Sequence, residues 1–148
     1  IGWDAPVETF IRQVDEYTLE GYRYSKGWAV DQRLWFAIKS SVPVKQFLVF
    51  DGDTRQSGAS VKSKAAKGVI SFEKSPGQVM LKVGISPVSS ENALANIKAE
   101  IPGWDFTKTV NSANDKWDKE LSKVNIETKK RGASSTDATV VHKTQIKN

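Results

Sequence analysis

Apolar positions along this chain recur first at every second residue and then, beyond residue 89, at every third or fourth. The first spacing marks strands, whose side chains alternate between faces; the second marks helices. The opening IGWDAPVETFI contains Pro6, which argues against a long regular element there. QVDEYTLE reads as a strand, and Gly21 after it as a bulge or turn. In GYRYSKGW, Ser25, Lys26 and Gly27 are turn material. RLWFAIKSS puts Leu34, Phe36 and Ile38 on one face and Trp35 and Ala37 on the other, so this strand should be covered on both sides. KQFLVFDGD is a further strand closed by a turn at Asp51, Gly52 and Asp53. Residues 54–67 show no period and read as a long polar loop. GVISFE is a short strand. QVMLKVGIS alternates cleanly, with Val79, Leu81, Val83 and Ile85 expected to face the core and Met80, Lys82 and Gly84 the other side.

The helical part begins at SSENALANIKAEI, where Leu94, Ile97 and Ile101 share a face and Ser89 or Ser90 can cap the first turn. Pro102 and Gly103 end it. In TKTVNSANDKWDKELSKV, Val110, Ala113, Trp117, Leu121 and Val124 form one apolar stripe, capped by Asp105 or Thr107. The expected helices cover about residues 90–101 and 107–124. No helix precedes residue 89, which excludes a sheet built from βαβ units. The order predicts a mainly β fold with appended helices, an antiparallel β-sandwich over residues 1–127 that ends in the two helices. Residues 128–148 form a tail or a short last strand.

Composition narrows the possibilities. A chain of 148 residues is one domain's length and can bury a core without metals or disulfides. Five Trp, six Phe and three Tyr argue for an ordered fold. The absence of Cys excludes a disulfide framework, a thiolate zinc site and a cysteine nucleophile. The net charge of +5 is spread along the chain among acidic residues, without the basic stripe that nucleic acid requires. No apolar run approaches the ~20 residues of a membrane span. There is no signal peptide, and the start at Ile1 reads as a processed or truncated product.

Candidate chemistry is sparse. His142 is the single histidine, too few for a catalytic zinc site, and no Ser or Asp partner stands beside it in a motif. Glycoside hydrolysis needs two carboxyl groups flanking the bond. Asp15 with Glu16, Asp51 with Asp53, and Asp105 are the available carboxylates, all at positions that turns and caps also favour. No metal ligand set is assigned. Trp35 and Trp117 lie in periodic apolar patterns and are expected in the core. Trp3, Trp28 and Trp104 each stand beside Gly and near polar residues, where an indole can stack on a sugar or a partner domain.

Two blocks resemble a known family. GYRYSKGWAVDQRLWFAIKSS, residues 21–41, and KVGISPVSSENALANIKAEIPGWDFTKTVNSANDKWDKELSKVNIE, residues 82–127, are similar to the N-terminal domain of the glycoside hydrolase family 92 α-mannosidases. The resemblance implies a β-sandwich of the galactose mutarotase-like type, here incomplete. It also implies a parent enzyme that is a calcium-dependent, inverting exo-mannosidase, with its acid, base and most calcium ligands on a separate α/α-barrel catalytic domain. This chain is too short to hold that barrel and lacks the glycine- and histidine-rich motifs of the early sandwich. The ending, ASSTDATVVHKTQIKN, places His142 near a family histidine but among different neighbours, so no catalytic residue is carried over.

What the resemblance implies is therefore a non-catalytic module, partnered by the barrel, near mannose-containing glycans, in a secreted, periplasmic or cell-surface setting. Gly27 and Trp28 would set a turn between strands, Pro102 and Gly103 the junction of the helices, and Trp117 and Leu121 the packing of the second helix. A free-standing carbohydrate-binding module and an adaptor domain without glycan binding are the competing readings.

Overall fold

The structure, a computed structural model, describes residues 4–73 and 77–123. Eight strands precede two helices: β1 Ala5–Asp15, β2 Thr18–Lys26, β3 Gln32–Ser40, β4 Gln46–Asp51, β5 Thr54–Gln56, β6 Ser60–Ser63, β7 Ala66–Ser71, β8 Leu81–Ser86, α1 Ser90–Glu100 and α2 Phe106–Leu121. The chain divides into two compact units after Trp104, so α2 belongs to the second. Trp3, Val124, His142 and the expected tail strand lie outside the described residues.

The strands form two antiparallel sheets, a five-stranded one in the order β6-β1-β2-β3-β8 and a three-stranded one in the order β5-β4-β7. The fold is mostly antiparallel β with helices appended, as the change of period predicts. Leu19, Val44, Phe47, Val49 and Val61 make the core between the sheets, with Ile11, Ile38, Ala66, Ile70 and Phe72 packed around them. The five-stranded sheet supplies this core from β6, β1, β2 and one residue of β3, and β8 supplies none.

Several local expectations change. QVDEYTLE is not one strand. Asp15 accepts hydrogen bonds from the Tyr17 N–H at 2.8 Å and the Thr18 hydroxyl at 2.9 Å, and this Asx turn folds β1 back on β2. Pro6 does not prevent a long element either. Strand β1 runs 11 residues, with Pro6 next to its start and a register shift between Pro6 and Glu8 that absorbs the missing donor. Ser25 and Lys26 belong to β2, and the turn starts at Gly27. The segment 54–67 is not a loop: it holds β5, β6 and the start of β7. These strands are short and polar, and of β6 only Val61 is buried, so no hydrophobic period marks them.

The largest difference is at β8. Its alternation is correct, but Lys82, Gly84 and Ser86 are the buried set, and Leu81, Val83 and Ile85 stay 48%, 57% and 57% exposed. Helix α1 causes this. It packs on the face of Ala37 and Gly84 through Ala93, Ile97 and Leu94. The row Leu81–Val83–Ile85 pairs in register with Ser40, Ile38 and Phe36 on the opposite face. The three-stranded sheet does not cover that row.

The contact beneath α1 leaves no room for a side chain at residue 84. A Cβ on Gly84 would run into the Ala93 carbonyl oxygen and come within 2.7 Å of Ile97 Cγ1. Gly84→Ala should therefore lift the helix and destabilise the fold by about 1–3 kcal/mol, the usual cost of overpacking. Urea unfolding would measure this, and an unchanged midpoint would refute the close contact.

Candidate functional site

Strands β2 and β3 are joined by residues 27–31, where the Gly27 N–H donates to the Ala29 carbonyl at 2.9 Å. This bond turns the chain tightly and throws the next side chains outward. Trp28 is 97% exposed and Val30 82% exposed. Asp31 stays at the base of the turn and accepts from the Arg33 Nε at 3.1 Å. An indole with neither face covered is unusual. Leaving it in water forgoes much of the ~1.5–3 kcal/mol that burying a large apolar side chain typically returns.

Below the turn, the outer face of the five-stranded sheet carries an aromatic ladder that single-sequence periodicity did not single out. Phe10 stacks on Tyr22 with centroids 5.4 Å apart, and Tyr22 stacks on Tyr24 at 4.4 Å and 17°. Trp35 meets Tyr24 edge-on at 5.5 Å, and the Arg33 guanidinium lies 5.3 Å from the centroid of the Tyr24 ring. Trp35 is thus half-buried within this ladder rather than in the core between the sheets. The signal for this ladder was available in cross-strand pairing: Phe10 faces Tyr22 and Tyr22 faces Trp35 in register. Because the rings take up one another's faces, the ladder stiffens the strands. Trp28, by contrast, offers both faces.

Polar groups flank the ladder. The Tyr22 hydroxyl donates to Glu8 Oε1 at 2.7 Å, and Lys62 Nζ sits 3.1 Å from Glu8 Oε2. The Tyr22 hydrogen bond first, then Lys62, holds the Glu8 carboxyl below its ordinary value. Burial and the Glu8 carboxylate push the Tyr22 hydroxyl up.

A second aromatic site closes α1. Lys82 reaches across from β8 and donates from Nζ to the Ile101 carbonyl at 2.7 Å and the Pro102 carbonyl at 3.2 Å. Its ammonium lies 4.1 Å from the centroid of the Trp104 ring. The lysine satisfies carbonyls that the end of a helix leaves open and places a positive charge at the negative end of its dipole. Trp104 is 37% exposed and covers the ammonium, while Gly103 stands in open space. Helix α1 ends at Glu100 with Ile101 as its cap, just before Pro102 and Gly103, and Lys82 is the side chain that holds this end.

In the second unit, Asp105 caps α2 by accepting from the Lys108 N–H at 2.8 Å. Helix α2 buries none of its residues. Trp117, expected in a core, is 67% exposed, and Leu121 and Phe106 on the same helix are exposed too.

Three of the five carboxylate candidates are committed to local structure. Asp15 makes the Asx turn, Asp105 caps α2, and Asp53 pairs with Lys67 at 2.8 Å beside Gly52, whose φ is +59°. Among the described residues, no group of three or more His, Asp or Glu could hold a metal ion. No helix among them is long and apolar enough to cross a membrane.

Residues 1–86 match the family model of the glycosyl hydrolase family 92 N-terminal domain, and residues 92–144 match that of the family 92 catalytic domain. A search of curated proteins finds no match. Among solved structures, the chain is similar to the family GH92 alpha-mannosidase BT3965 from Bacteroides thetaiotaomicron, with 25% identity and a TM-score of 0.76 over 84% of this chain. It is also similar in fold to the family GH92 inverting mannosidase BT2199 from Bacteroides thetaiotaomicron VPI-5482, with 23% identity and a TM-score of 0.74 over 84% of this chain. The aligned region spans 18% of each of those chains.

Two outcomes follow from the site itself. Lys82→Met keeps the buried stem but removes the charged donor from two carbonyls, so thermal unfolding should report a loss of about 2 kcal/mol. Glu8 is held below its ordinary value, so its contribution is fully present above that value and is lost as pH falls through the lowered one. In Tyr22→Phe, the Glu8 carboxyl titration followed by NMR should move upward toward the ordinary glutamate value.

Proposed function

The chain belongs to glycosyl hydrolase family 92, and on that basis we propose that it serves as a non-catalytic N-terminal module of an α-mannosidase-like enzyme, supporting the catalytic domain and helping to shape its sugar pocket. The observation that carries this reading is the Trp28–Val30 turn. Two large apolar side chains stand in water at one tip of the sheet, while Asp15, Asp105 and Asp53 are spent on a turn, a cap and an ion pair. A surface of that kind is built to meet something else. Trp28 has both ring faces free to stack on a sugar or on a partner domain. Trp104 is partly used by Lys82 and offers less.

The partner in this reading is the α/α-barrel catalytic domain, and the glycans are mannose-containing. Residues 92–144, matching the catalytic-domain family model, give the module its connection to that domain. Trp117 and Leu121 on α2 are the residues of that stretch offered for interdomain packing. The calcium that the resemblance implies would be held by the parent's other residues, because the described ones bring no ligand set together. A secreted or periplasmic setting fits extracellular glycans as substrates. A free-standing carbohydrate-binding module is the second reading, favoured by the exposure of Trp28 alone.

Assayed by itself on an aryl α-mannoside with calcium, the 148-residue chain should give no turnover above the blank. Measurable hydrolysis would overturn the proposal. Titration with mannose oligosaccharides separates the two readings. A pocket-shaping module gives no saturable binding alone, whereas a free-standing binding module binds and loses that binding in Trp28→Ala.

A further inference from the structure

We propose that Lys82 is a positioning residue for the parent enzyme's reaction, acting by pinning the joint at which the chain leaves its first unit, a proposal that rests on the reading above. Two boundaries in the chain fall at different places. The N-terminal-domain match ends at residue 86 and the catalytic-domain match begins at residue 92. The first compact unit, however, ends at Trp104. Residues 92–104 therefore carry catalytic-domain sequence but pack within the unit formed by the sheets. Ala93 and Ile97 lie against Ala37, and the Asn96 side chain donates to the Ile85 carbonyl at 2.9 Å.

The stretch after α1 has the composition of a hinge. Glycine is the most permissive residue, and a Cβ on Gly103 would meet nothing within 4 Å. Yet this joint is held on both sides by one side chain. Lys82 Nζ donates to the Ile101 and Pro102 carbonyls just before Gly103, and the Trp104 ring just after it lies over the same ammonium. Lys82 belongs to the N-terminal-domain match, and all three residues it holds belong to the catalytic-domain match. The lysine is only 8% exposed, and both of its described hydrogen bonds go to this joint. An apolar side chain would fill the same space, but it would not hold two carbonyls in direction as charge-assisted hydrogen bonds do. Asp105, the next residue, already caps α2, so no free residue separates the clasp from the start of the second unit.

A pocket assembled from two domains needs both set accurately, and a misplacement of about 1 Å costs up to ~100-fold in rate. Lys82 touches no sugar in this proposal and acts through the joint. The test measures kcat and KM on an aryl α-mannoside with calcium. It uses the polypeptide encoded by the full reading frame that carries this chain, at a temperature where circular dichroism shows each variant folded. Lys82→Met should lower kcat by about 10-fold, and Lys82→Arg, which keeps the cation and its donors, should stay within about 3-fold. Val49→Ala weakens the core between the sheets without touching the joint, so it should lower the melting temperature while kcat stays within about 2-fold. Unchanged kcat and KM in Lys82→Met would overturn the inference and leave the modular reading intact. An equal loss of kcat in Val49→Ala would overturn it too, because the effect would then follow stability alone. Should Lys82→Met fail to fold, Trp104→Leu takes its place: it uncovers the ammonium, and unchanged kcat there would be equally fatal. A full polypeptide with no α-mannosidase activity would overturn the modular reading and this inference together.

Discussion

The contact on which this structure depends is the close approach of α1 to the sheet at Gly84. A helix can lie this near a sheet only where side chains are absent or small, and the contact has Gly84 and Ala37 on the sheet and Ala93 on the helix. Once α1 occupies that face, the alternation of β8 has only one outcome. Lys82, Gly84 and Ser86 turn toward the helix, and Leu81, Val83 and Ile85 are left on the face that the smaller sheet does not reach. The position of Lys82 beneath the end of α1 follows from the same arrangement.

Much of the architecture was legible in the chain because the two hydrophobic periods are clean. The strands β3, β4 and β8 come from the spacing of Leu34, Phe36 and Ile38, of Phe47 and Val49, and of Leu81, Val83 and Ile85, and the two helices from that of Leu94, Ile97 and Ile101 and of Val110, Ala113, Trp117 and Leu121. What escaped was structure held by backbone pairing with little apolar content. Strand β6 contributes one buried side chain and pairs with β1 across a long separation, so its sequence resembles a polar loop. The Asp15 turn lay inside an apparently continuous strand, because a side-chain acceptor does locally what a glycine would otherwise signal. The sense of burial at β8 was not legible for another reason. A period gives two faces but not which of them a helix will cover.

Of the candidate site, the sequence located the tryptophans but not their environments. Trp28 and Trp104 both stand next to glycine, yet one is bare and the other shields an ammonium. Trp117 follows a helical stripe that reads as a core, on a helix with no buried residue. The aromatic ladder of Phe10, Tyr22, Tyr24 and Trp35 depends on register between three strands, which no single segment reveals. The family relation added a context that periodicity could not supply.

The Lys82 clasp also bears on chain entropy. It joins residues 19 positions apart, whereas the Thr9 hydroxyl bond to the Ser63 carbonyl, which ties β1 to β6, joins residues 54 apart. Loop closure grows with the logarithm of length, so the longer closure costs about 0.9 kcal/mol more. The segment from β8 to the end of α1 is therefore the less expensive part of the fold to bring together, and β8, the last strand of its sheet among the described residues, is held in place by the helix that follows it.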